Sequence, residues 1–226
     1  MPLAIDLYAG LGGWTEGLMA EGYRVVGVDI ERHVYGEARY PAQLVIADVL
    51  QLHGKQFRTA DLIVASPPCQ AYSYRAMPWT RAKALPPPSN ELFDACFRIQ
   101  REACAAVGRH IPLVVENVCG AQKWVGRARW HYGSFYLWGD VPALMPPTLK
   151  RPSKNTGGSS GTGRNPDGRN DPRYGVKNGG DWFNAAQPSY QRRRASKLNA
   201  RKAASAHIAK IPIDLARWVG RAWYPQ

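Results

Sequence analysis

The feature that most constrains the fold is a series of short aliphatic segments, each followed by turn-forming residues. These segments are Leu3–Leu7, Arg24–Asp29, residues 61–65 and residues 113–116, with a shorter one at residues 44–46. Their length and apolar character are typical of strands that are buried on both faces. Strands of that kind occur in parallel sheets that are covered by helices on both sides.

Helices are predicted in the intervals between these strands. One is expected at residues 14–21, and Pro212 is expected to open a last one. Cys96 and Cys104 are interpreted as core residues of a longer helix, because a free cysteine behaves as a small hydrophobe. The alternation of strands and helices predicts an α/β fold with a mostly parallel sheet. The longer helix, at residues 91–108, is indicated by apolar side chains at helical spacing: Leu92, Cys96, Ile99, Ala103 and Val107.

The four cysteines of the chain form no CxxC pair, and no histidine lies at zinc-ligand spacing beside them. Neither a disulfide framework nor a metal site is therefore expected. The sequence also lacks a signal peptide and an apolar stretch long enough to span a bilayer. We expect a soluble, monomeric, cytoplasmic protein without membrane contact.

Charge is distributed unevenly along the chain. Residues 1–120 contain 11 Lys and Arg against 12 Asp and Glu, a net charge of −1, whereas residues 121–226 contain 19 against 5, a net charge of +14. A near-neutral first half and a basic second half indicate a core joined to a surface that binds a polyanion such as nucleic acid. The alternative is a basic, solvated surface without a partner.

A glycine-rich segment, Asp6-Leu7-Tyr8-Ala9-Gly10-Leu11-Gly12-Gly13, connects the first strand to the helix after it. Glycines allow a sharp turn and a close approach of the backbone to a ligand, so the segment fits a nucleotide site or merely a tight turn. Acids at the ends of the next strands favour an adenosine ligand. Asp29 could accept hydrogen bonds from ribose hydroxyls, and Asp48 from an adenine amine. The alternative is that both acids cap helices or turns.

The segment Ser66-Pro67-Pro68-Cys69-Gln70 follows the third clear strand. Its prolines stiffen the turn and would present Cys69 at the carboxyl edge of the sheet. A thiolate at that edge could attack an electron-poor ring. An inert structural cysteine is the alternative, which the strand-end position and the prolines disfavour.

The segment Val115-Glu116-Asn117-Val118 ends the fourth strand. A carboxyl group at the end of an apolar strand is costly unless it is used or paired. Glu116 could hold the ring nitrogen and the exocyclic amine of a nucleobase through hydrogen bonds. The alternative is a Glu-Asn pair that caps a helix.

Taken together, these segments resemble the cytosine-C5 DNA methyltransferase family. DLYAGLGG, GVDI, ADV, SPPCQ and ENV follow that family's motif order over residues 1–120, and the resemblance is weaker beyond. The SPPCQ and ENV pair is specific, because amino-group methyltransferases carry an aromatic residue where Cys69 stands. The resemblance implies a Rossmann-like fold that binds S-adenosylmethionine, and the compact form suits a phage or mobile-element member.

The implied reaction is methyl transfer to C5 of a cytosine that is flipped out of double-stranded DNA. Cys69 would add to C6 as a thiolate, Glu116 would bind N3 and the amine, and C5 would take the methyl group. Loss of the C5 proton and release of Cys69 would complete the cycle. An RNA cytosine methyltransferase of the same fold and a non-catalytic DNA-binding relative are the alternatives.

The resemblance also assigns residues to the cofactor. Asp29 would hold the ribose, Ile30 would pack on the adenine, and Pro67 would touch the far side of the cofactor. Asp48, with Val49 beside it, would contact the adenine amine. The glycine-rich segment would line the methionine part with Tyr8, Ala9, Gly10, Leu11, Gly12 and Gly13.

Residues 71–90 resemble the mobile loop that closes over DNA in this family, because prolines, aromatics and basic residues suit a lid better than a core element. In and beside this loop the candidate DNA contacts are Gln70, Ser73, Arg75 and Arg81.

The family places a Gln-x-Arg-x-Arg segment after ENV, and an arginine of that segment helps to hold the target base. Arg127 and Arg129 match it best, because an apparent strand at residues 134–138 follows them. The competing match is Gln191-Arg192-Arg193-Arg194, and Arg192, Arg193 and Arg194 would then contact phosphates.

The segment at residues 207–216 resembles the family's last motif, which completes the cofactor pocket. The family usually has Gly-Asn where Ile208-Ala209 falls, and Lys210 would lie near the methionine end of the cofactor. Lys210 could pair with a carboxylate there, even that of carboxy-S-adenosylmethionine, which would make the transferred group carboxymethyl. The alternative is a surface lysine that points to solvent or DNA.

These assignments divide the chain into a catalytic, cofactor-binding domain at residues 1–139, a small target-recognition region at residues 140–190 and C-terminal helices at residues 191–226. Residues 146–180 are rich in Gly, Ser, Pro, Asn, Lys and Arg, which predicts a loop or a very small module. A recognition region this small predicts a short or relaxed recognition sequence. Phosphate contacts would supply much of the affinity, so steep salt dependence is expected.

Overall fold

The computed structural model describes residues 1–73, 86–144, 206–207 and 209–225. Most of the predicted closing loop and of the predicted target-recognition region therefore lies outside the described residues. The same holds for five of the candidate DNA contacts: Arg75, Arg81, Arg192, Arg193 and Arg194.

The described residues form nine strands, and seven of these join into one sheet. The sheet order is β5-β2-β1-β6-β7-β9-β8; the first five strands are parallel, and β9 is antiparallel to both of its neighbours. The predicted fold class, a Rossmann-like methyltransferase fold with a mostly parallel sheet, is confirmed. In chain order the strands are β1 (Leu3–Leu7), β2 (Arg24–Asp29), β3 (Val34–Tyr35), β4 (Ala38–Arg39), β5 (Gln43–Ile46), β6 (Leu62–Ala65), β7 (Leu113–Asn117), β8 (Trp130–Tyr132) and β9 (Phe135–Gly139).

The strand order reverses beside β1. The chain first adds β2 and β5 on one side of β1, and then crosses over to add β6 and β7 on the other side. In parallel α/β sheets, ligands bind outside the carboxyl ends of the strands at the point of this reversal. The connections that leave β1 and β6 meet at this point, and they are the glycine-rich segment and the segment around Cys69.

Helices cover both faces of this sheet. They are α1 (Gly13–Ala20), α2 (Glu91–Val107), α3 (Gln122–Val125) and α4 (Ile213–Ala222). Side chains of α2 fill the core on one face, and those of α1 and α4 fill it on the other. Within the part of the chain that the structure describes, no helix is long and apolar enough to cross a membrane.

The buried stripe of α2 differs in part from the predicted one. Cys96, Ile99 and Ala103 are buried as expected, but Val107 is exposed, because it is the last residue of the helix before Gly108 ends it with a φ of 74°. The stripe is completed by Phe93 and Ala95 rather than by Leu92, which is only half-buried.

The edge strand β5 is also more open than its apolar sequence predicts. Val45 and Ile46 are 40% and 50% exposed, so the expectation of a strand buried on both faces is wrong here. The physical reason is that β5 has a neighbour on one side only, and that the connection from β2 contains the short hairpin of β3 and β4 instead of a covering helix.

The C-terminal segment packs closely on α1. A Cβ atom added to Gly17 would lie 2.3 Å from the Cβ atom of Ala216, and one added to Gly13 would lie 2.3 Å from the backbone nitrogen of Ile211. Only glycine fits at these two contacts. The close packing fixes α4 and the residues before it against the helix that follows the glycine-rich segment.

Candidate active site

The glycine-rich segment turns sharply between β1 and α1. Tyr8 has a left-handed φ of 58°, a conformation that costs a non-glycine residue about 1–2 kcal/mol. Two hydrogen bonds oppose this cost. The Tyr8 hydroxyl donates to the carbonyl oxygen of Leu92 at 2.7 Å, and the backbone amide of Gly12 donates to the carbonyl oxygen of Ala9 at 2.8 Å. The segment is thereby tied to the start of α2.

Asp29 lies beside this segment, at the carboxyl end of β2. Its Oδ2 atom accepts a hydrogen bond from the amide of Gly10 at 2.8 Å, and its Oδ1 atom lies 3.5 Å from Nε2 of His33. A Cβ atom added to Gly10 would meet nothing closer than 4.0 Å, so space is open above it. The next side chain, Ile30, is 68% exposed although it is a large apolar residue. An acid, an open backbone and an exposed apolar side chain thus lie together.

Other predicted cofactor residues face the protein itself. Asp48 accepts a hydrogen bond from the amide of Leu50 at 2.9 Å and so caps the short 3₁₀ turn that follows it, as the capping alternative predicts. The side chains of Leu11 and Val49 are buried in the fold. A Cβ atom added to Gly12 would lie 2.5 Å from Pro41. Leu11, Gly12 and Val49 can therefore contact a ligand mainly through their backbone atoms, whereas the Asp48 side chain is only half-buried.

Asp6 is buried beneath the glycine-rich segment, and sequence reasoning gave it no role. Its Oδ2 atom accepts a hydrogen bond from the Thr15 hydroxyl at 2.6 Å, and that hydroxyl lies 2.5 Å from the Tyr40 hydroxyl. Its Oδ1 atom has no hydrogen-bond partner among the described residues. Burial, with a smaller contribution from Asp29, raises the pKa of Asp6 from 3.8 to about 8. An acid inside an aliphatic strand was the signal that could have drawn attention to it.

The raised pKa of Asp6 predicts a pH-dependent stability. Between its unfolded pKa of 3.8 and its folded pKa of about 8, the folded state holds a proton that the unfolded state has released. The free energy of unfolding should therefore fall as pH rises through this window, by at most about 1.4 kcal/mol per pH unit. We expect Asp6→Asn, which cannot titrate, to gain stability relative to the native protein between pH 5 and pH 8.5, as measured by urea denaturation. A stability difference that stays constant with pH would contradict the raised pKa.

The turn that carries Cys69 is fixed at several points. The amide of Ser66 donates to the carbonyl oxygen of Leu7 at 3.2 Å, and the indole nitrogen of Trp14 donates to the Ser66 hydroxyl at 3.0 Å. The amide of Tyr72 then donates to the carbonyl oxygen of Cys69 at 3.0 Å. Cys69 itself is half-buried. In Cys96, by contrast, burial raises the pKa of the thiol, which supports its interpretation as an inert core residue.

Glu116 lies on the strand next to that turn and is only 3% exposed. Because Ala65 pairs with Val115, the Cys69 turn leaves β6 at the level of Glu116, and neighbouring strands are about 4.8 Å apart. The amide group of Asn117 donates to the carbonyl oxygen of Pro67 at 3.0 Å, which ties the two segments together. The 3₁₀ turn at Cys119–Ala121 has no side-chain cap, so the capping alternative for the Glu-Asn pair is not what the structure shows.

A second connection joins the Cys69 turn to the helices beside it. The Tyr72 hydroxyl donates to Oδ1 of Asn90 at 3.0 Å, and Nδ2 of Asn90 donates to the carbonyl oxygen of Trp124 at 3.1 Å. Asn90 precedes α2 and does not cap it with its side chain. A sequence alone indicates an ordinary helix cap at such a position, so this bridge was missed.

The structure describes two of the candidate DNA contacts and both arginines that were assigned to the target base. Gln70 is exposed in the Cys69 turn, and Ser73 is half-buried at its end. Arg127 and Arg129 are exposed on the chain that leads into β8. The amide of Arg129 donates to the carbonyl oxygen of Leu137 at 2.9 Å, and Leu137 pairs with Glu116. The strand predicted at residues 134–138 is present as β9. A second short strand that was not predicted, β8, lies between the arginines and β9.

Lys210 lies against the glycine-rich segment. Its Cγ atom would be 2.9 Å from a Cβ atom added to Gly13, and its Nζ atom pairs with a carboxylate oxygen of Glu16 at 2.5 Å. The side chain is 29% exposed and does not simply point to solvent. Lys210 thus lies beside the first turn of α1 and pairs with a carboxylate of the protein itself, while its predicted position near the methionine end of the cofactor stays a prediction.

A family model for the C-5 cytosine-specific DNA methylases matches residues 3–123. The match spans more than half of the chain and includes the glycine-rich segment, the Cys69 turn and Glu116. The chain belongs to this family. Within the family match lie all the connections between β1, β2, β6 and β7 that form the candidate site.

Solved structures of methyltransferases are also similar to the chain. One is described as a DNA modification methyltransferase encoded within a prophage (E. coli), with 24% identity over 55% of this chain and 34% of that one, at a TM-score of 0.40. The methyltransferase EhMeth of Entamoeba histolytica has 14% identity over 67% and 57%, at a TM-score of 0.43. Dnmt2 of S. pombe has 19% identity over 54% and 36%, at a TM-score of 0.36. The chain thus spans between about a third and somewhat over half of the length of these proteins.

Proposed function

We propose that this protein transfers a methyl group from S-adenosylmethionine to C5 of a cytosine in double-stranded DNA, with Cys69 as the nucleophile. The observation that carries the proposal is the hydrogen bond from Asn117 to the carbonyl oxygen of Pro67. It joins the cysteine turn to β7, the strand that carries Glu116. A thiol and a buried carboxyl group on adjacent strand ends, next to a glycine-rich segment, are what this chemistry requires.

The residues around Gly10 fit the adenosyl part of S-adenosylmethionine. The Asp29 carboxylate would hold the ribose hydroxyls, the exposed side chain of Ile30 would pack against the adenine, and the open space above Gly10 would admit the ligand. Pro67, Tyr8 and the backbone near Asp48 would complete the site. Bound there, the cofactor supplies an electrophilic methyl group.

The residues of this chain would perform the remaining chemistry. The Cys69 thiolate adds to C6 of the cytosine, and a sulfur–carbon bond forms while the electron pair of the C5–C6 double bond moves into the ring. Glu116 holds N3 and the exocyclic amine and so stabilises the activated ring. C5 would then take the methyl group as the bond from that group to the cofactor sulfur breaks and S-adenosylhomocysteine leaves. A base would remove the C5 proton, and the electron pair left behind would expel the thiolate. The free enzyme is regenerated.

A nucleic-acid substrate is favoured by charge, and duplex DNA by the family to which the chain belongs. Residues 121–226 carry a net charge of +14, which suits a polyanion. A base that is stacked and paired inside a duplex is not accessible to a side chain such as Cys69, so the target base would have to leave the helix, at a cost of a few kcal/mol. In this proposal residues 1–139 provide catalysis, residues 140–190 recognise the target, and residues 191–226 complete the cofactor site.

Methyl is the transferred group that the surroundings of Lys210 favour. A carboxylated cofactor would need an unpaired cation near its methionine end. Lys210 already pairs with Glu16 at 2.5 Å, so its charge is balanced within the protein. Carboxymethyl transfer would require Lys210 to leave this carboxylate for that of the cofactor.

The proposed function is tested by offering the purified protein radiolabelled S-adenosylmethionine together with either duplex DNA of mixed sequence or tRNA. We expect label in DNA, at the 5-position of cytosine, and much less in tRNA. Transfer should weaken steeply as salt rises from about 50 to 200 mM, because phosphate contacts are lost. Label in tRNA alone would favour the RNA alternative. Binding of DNA without transfer to any cytosine context would favour a non-catalytic relative.

A further inference from the structure

The hairpin of β8 and β9 carries aromatic side chains up to the reactive edge of the sheet. Asn117, the last residue of β7, pairs with Tyr136 of β9, which in turn pairs with His131 of β8. The turn that connects β8 to β9 lies beyond this row of paired residues, past the carboxyl end of β7. His131 is therefore two strands, about 10 Å, from the residue that holds the Cys69 turn.

These paired residues also share one face of the sheet. Residues that lie opposite each other in antiparallel strands have their side chains on the same face. The side chain of Asn117 on that face bonds to Pro67, and Tyr136 packs against the core cluster on the same side. The Tyr136 and His131 rings thus lie on the face of the sheet that carries the Cys69 turn. They extend from β7 toward the outermost strand, β8.

The His131 ring is exposed and yet held in place. It stacks on Tyr136 with ring centroids 4.9 Å apart and an angle of 15° between the planes. Its Nδ1 atom lies 3.1 Å from the carbonyl oxygen of Gly133, which can only accept, so Nδ1 donates. These two contacts, with the Trp130 ring 6.1 Å away between centroids, hold an aromatic side chain that is exposed to solvent. A rigid aromatic ring loses little conformational entropy when it binds a partner.

The surroundings of this ring favour a polyanion. Between Glu116 and Asp140 the sequence contains no acid, whereas Lys123, Arg127 and Arg129 are all exposed in this stretch. Aromatic rings beside basic side chains are the combination with which proteins bind nucleobases next to a phosphate backbone. About 10 Å corresponds to roughly three base steps of a DNA strand.

We propose that His131, stacked on Tyr136, binds the substrate DNA by stacking against a base that flanks the target cytosine. This inference rests on the proposed function and adds a binding residue to it. Arg127 and Arg129 neutralise neighbouring phosphates, and the stack helps to hold the strand from which the target base has left. The contact contributes to DNA binding and not to cofactor binding.

The inference is tested with His131→Ala, His131→Phe and the control His110→Ala. His110 is also an exposed histidine, but it lies before the amino end of β7, on the opposite edge of the sheet. The probe is duplex DNA with one cytosine in a sequence context that the native protein methylates. KM for this DNA is measured with S-adenosylmethionine, Kd for the DNA is measured in the presence of S-adenosylhomocysteine, and the affinity for S-adenosylhomocysteine is measured separately. We expect His131→Ala to raise Kd and KM for DNA about 5- to 100-fold. His131→Phe should stay within about threefold of the native protein, and His110→Ala should match it.

Several outcomes would overturn the inference. Equal DNA affinity in His131→Ala and the native protein would show that the ring makes no contact. Equal losses in His131→Phe and His131→Ala would show that stacking is not the interaction. A parallel loss of S-adenosylhomocysteine binding, or of thermal stability, would assign the ring a structural role. Each of these outcomes concerns the inference alone, provided that the native protein methylates DNA. If the native protein does not methylate DNA, the proposed function itself has failed.

Discussion

A Cys69→Ala variant is expected to bind S-adenosylmethionine and DNA normally and to lose methyl transfer by about 10⁴-fold or more. The physical reason is that removing the nucleophile removes the step that activates C5, and such losses are among the largest that single substitutions cause. The side chain is half-buried in a turn that backbone hydrogen bonds hold, so folding should be preserved. Rates are measured by transfer of labelled methyl groups, and adducts with 5-fluorocytosine DNA by denaturing electrophoresis.

Cys119→Ala is the matched control for this variant. Cys119 is an exposed cysteine that follows the same strand as Glu116 by two residues, so a general effect of thiol loss near the edge would affect it too. We expect it to form the adduct at the native rate. A Cys69→Ala protein that still methylates cytosine, or a Cys119→Ala protein that does not, would refute the assignment of the nucleophile.

A Glu116→Gln variant is expected to show the second largest effect, a fall in kcat of about 10²- to 10⁴-fold. The amide keeps the shape of the side chain but cannot give a proton to N3, where negative charge develops when the thiolate adds to C6. Adduct formation with 5-fluorocytosine DNA should slow by a similar factor. The affinity for S-adenosylhomocysteine should not change, because Asp29, rather than Glu116, lies beside the open space at Gly10.

Glu91→Gln provides the control for charge removal, since Glu91 is an exposed acid at the first position of α2. It should retain native kcat and native adduct rates. If Glu116→Gln lowers the melting temperature strongly and loses cofactor binding together with activity, Glu116 has a structural role. If its kcat remains native, the proposed contact with the base is wrong.

Much of the fold followed from local sequence patterns. The strands at Leu3–Leu7 and Arg24–Asp29 were predicted to the residue, because a short aliphatic run bounded by polar or turn residues has few alternatives. The exposure of β5 could not be predicted. It depends on which strand ends up at the edge of the sheet, and that is decided by pairings between distant segments.

The sequence predicted the reactive groups of the candidate site but not the residues that hold them in place. Cys69 and Glu116 lie in short sequence motifs whose residue types indicate their chemistry. Asn117 and Asn90 look like ordinary polar residues, and only the folded chain brings Asn117 to Pro67 and Asn90 to Tyr72 and Trp124. Lys210 is separated by 194 residues from Glu16, with which it pairs.

The sequence by itself determined the α/β fold, the membership of the C-5 cytosine methylase family and the position of a cysteine and a carboxyl group at strand ends. These follow from residue type and spacing within a few positions along the chain. Only the tertiary structure decided what surrounds them: the tie between Asn117 and the Cys69 turn, the burial of Asp6, the pairing of Lys210 and the stacked ring of His131. The physical reason is that each of these contacts joins segments whose proximity is set by sheet order and register, which no local pattern specifies.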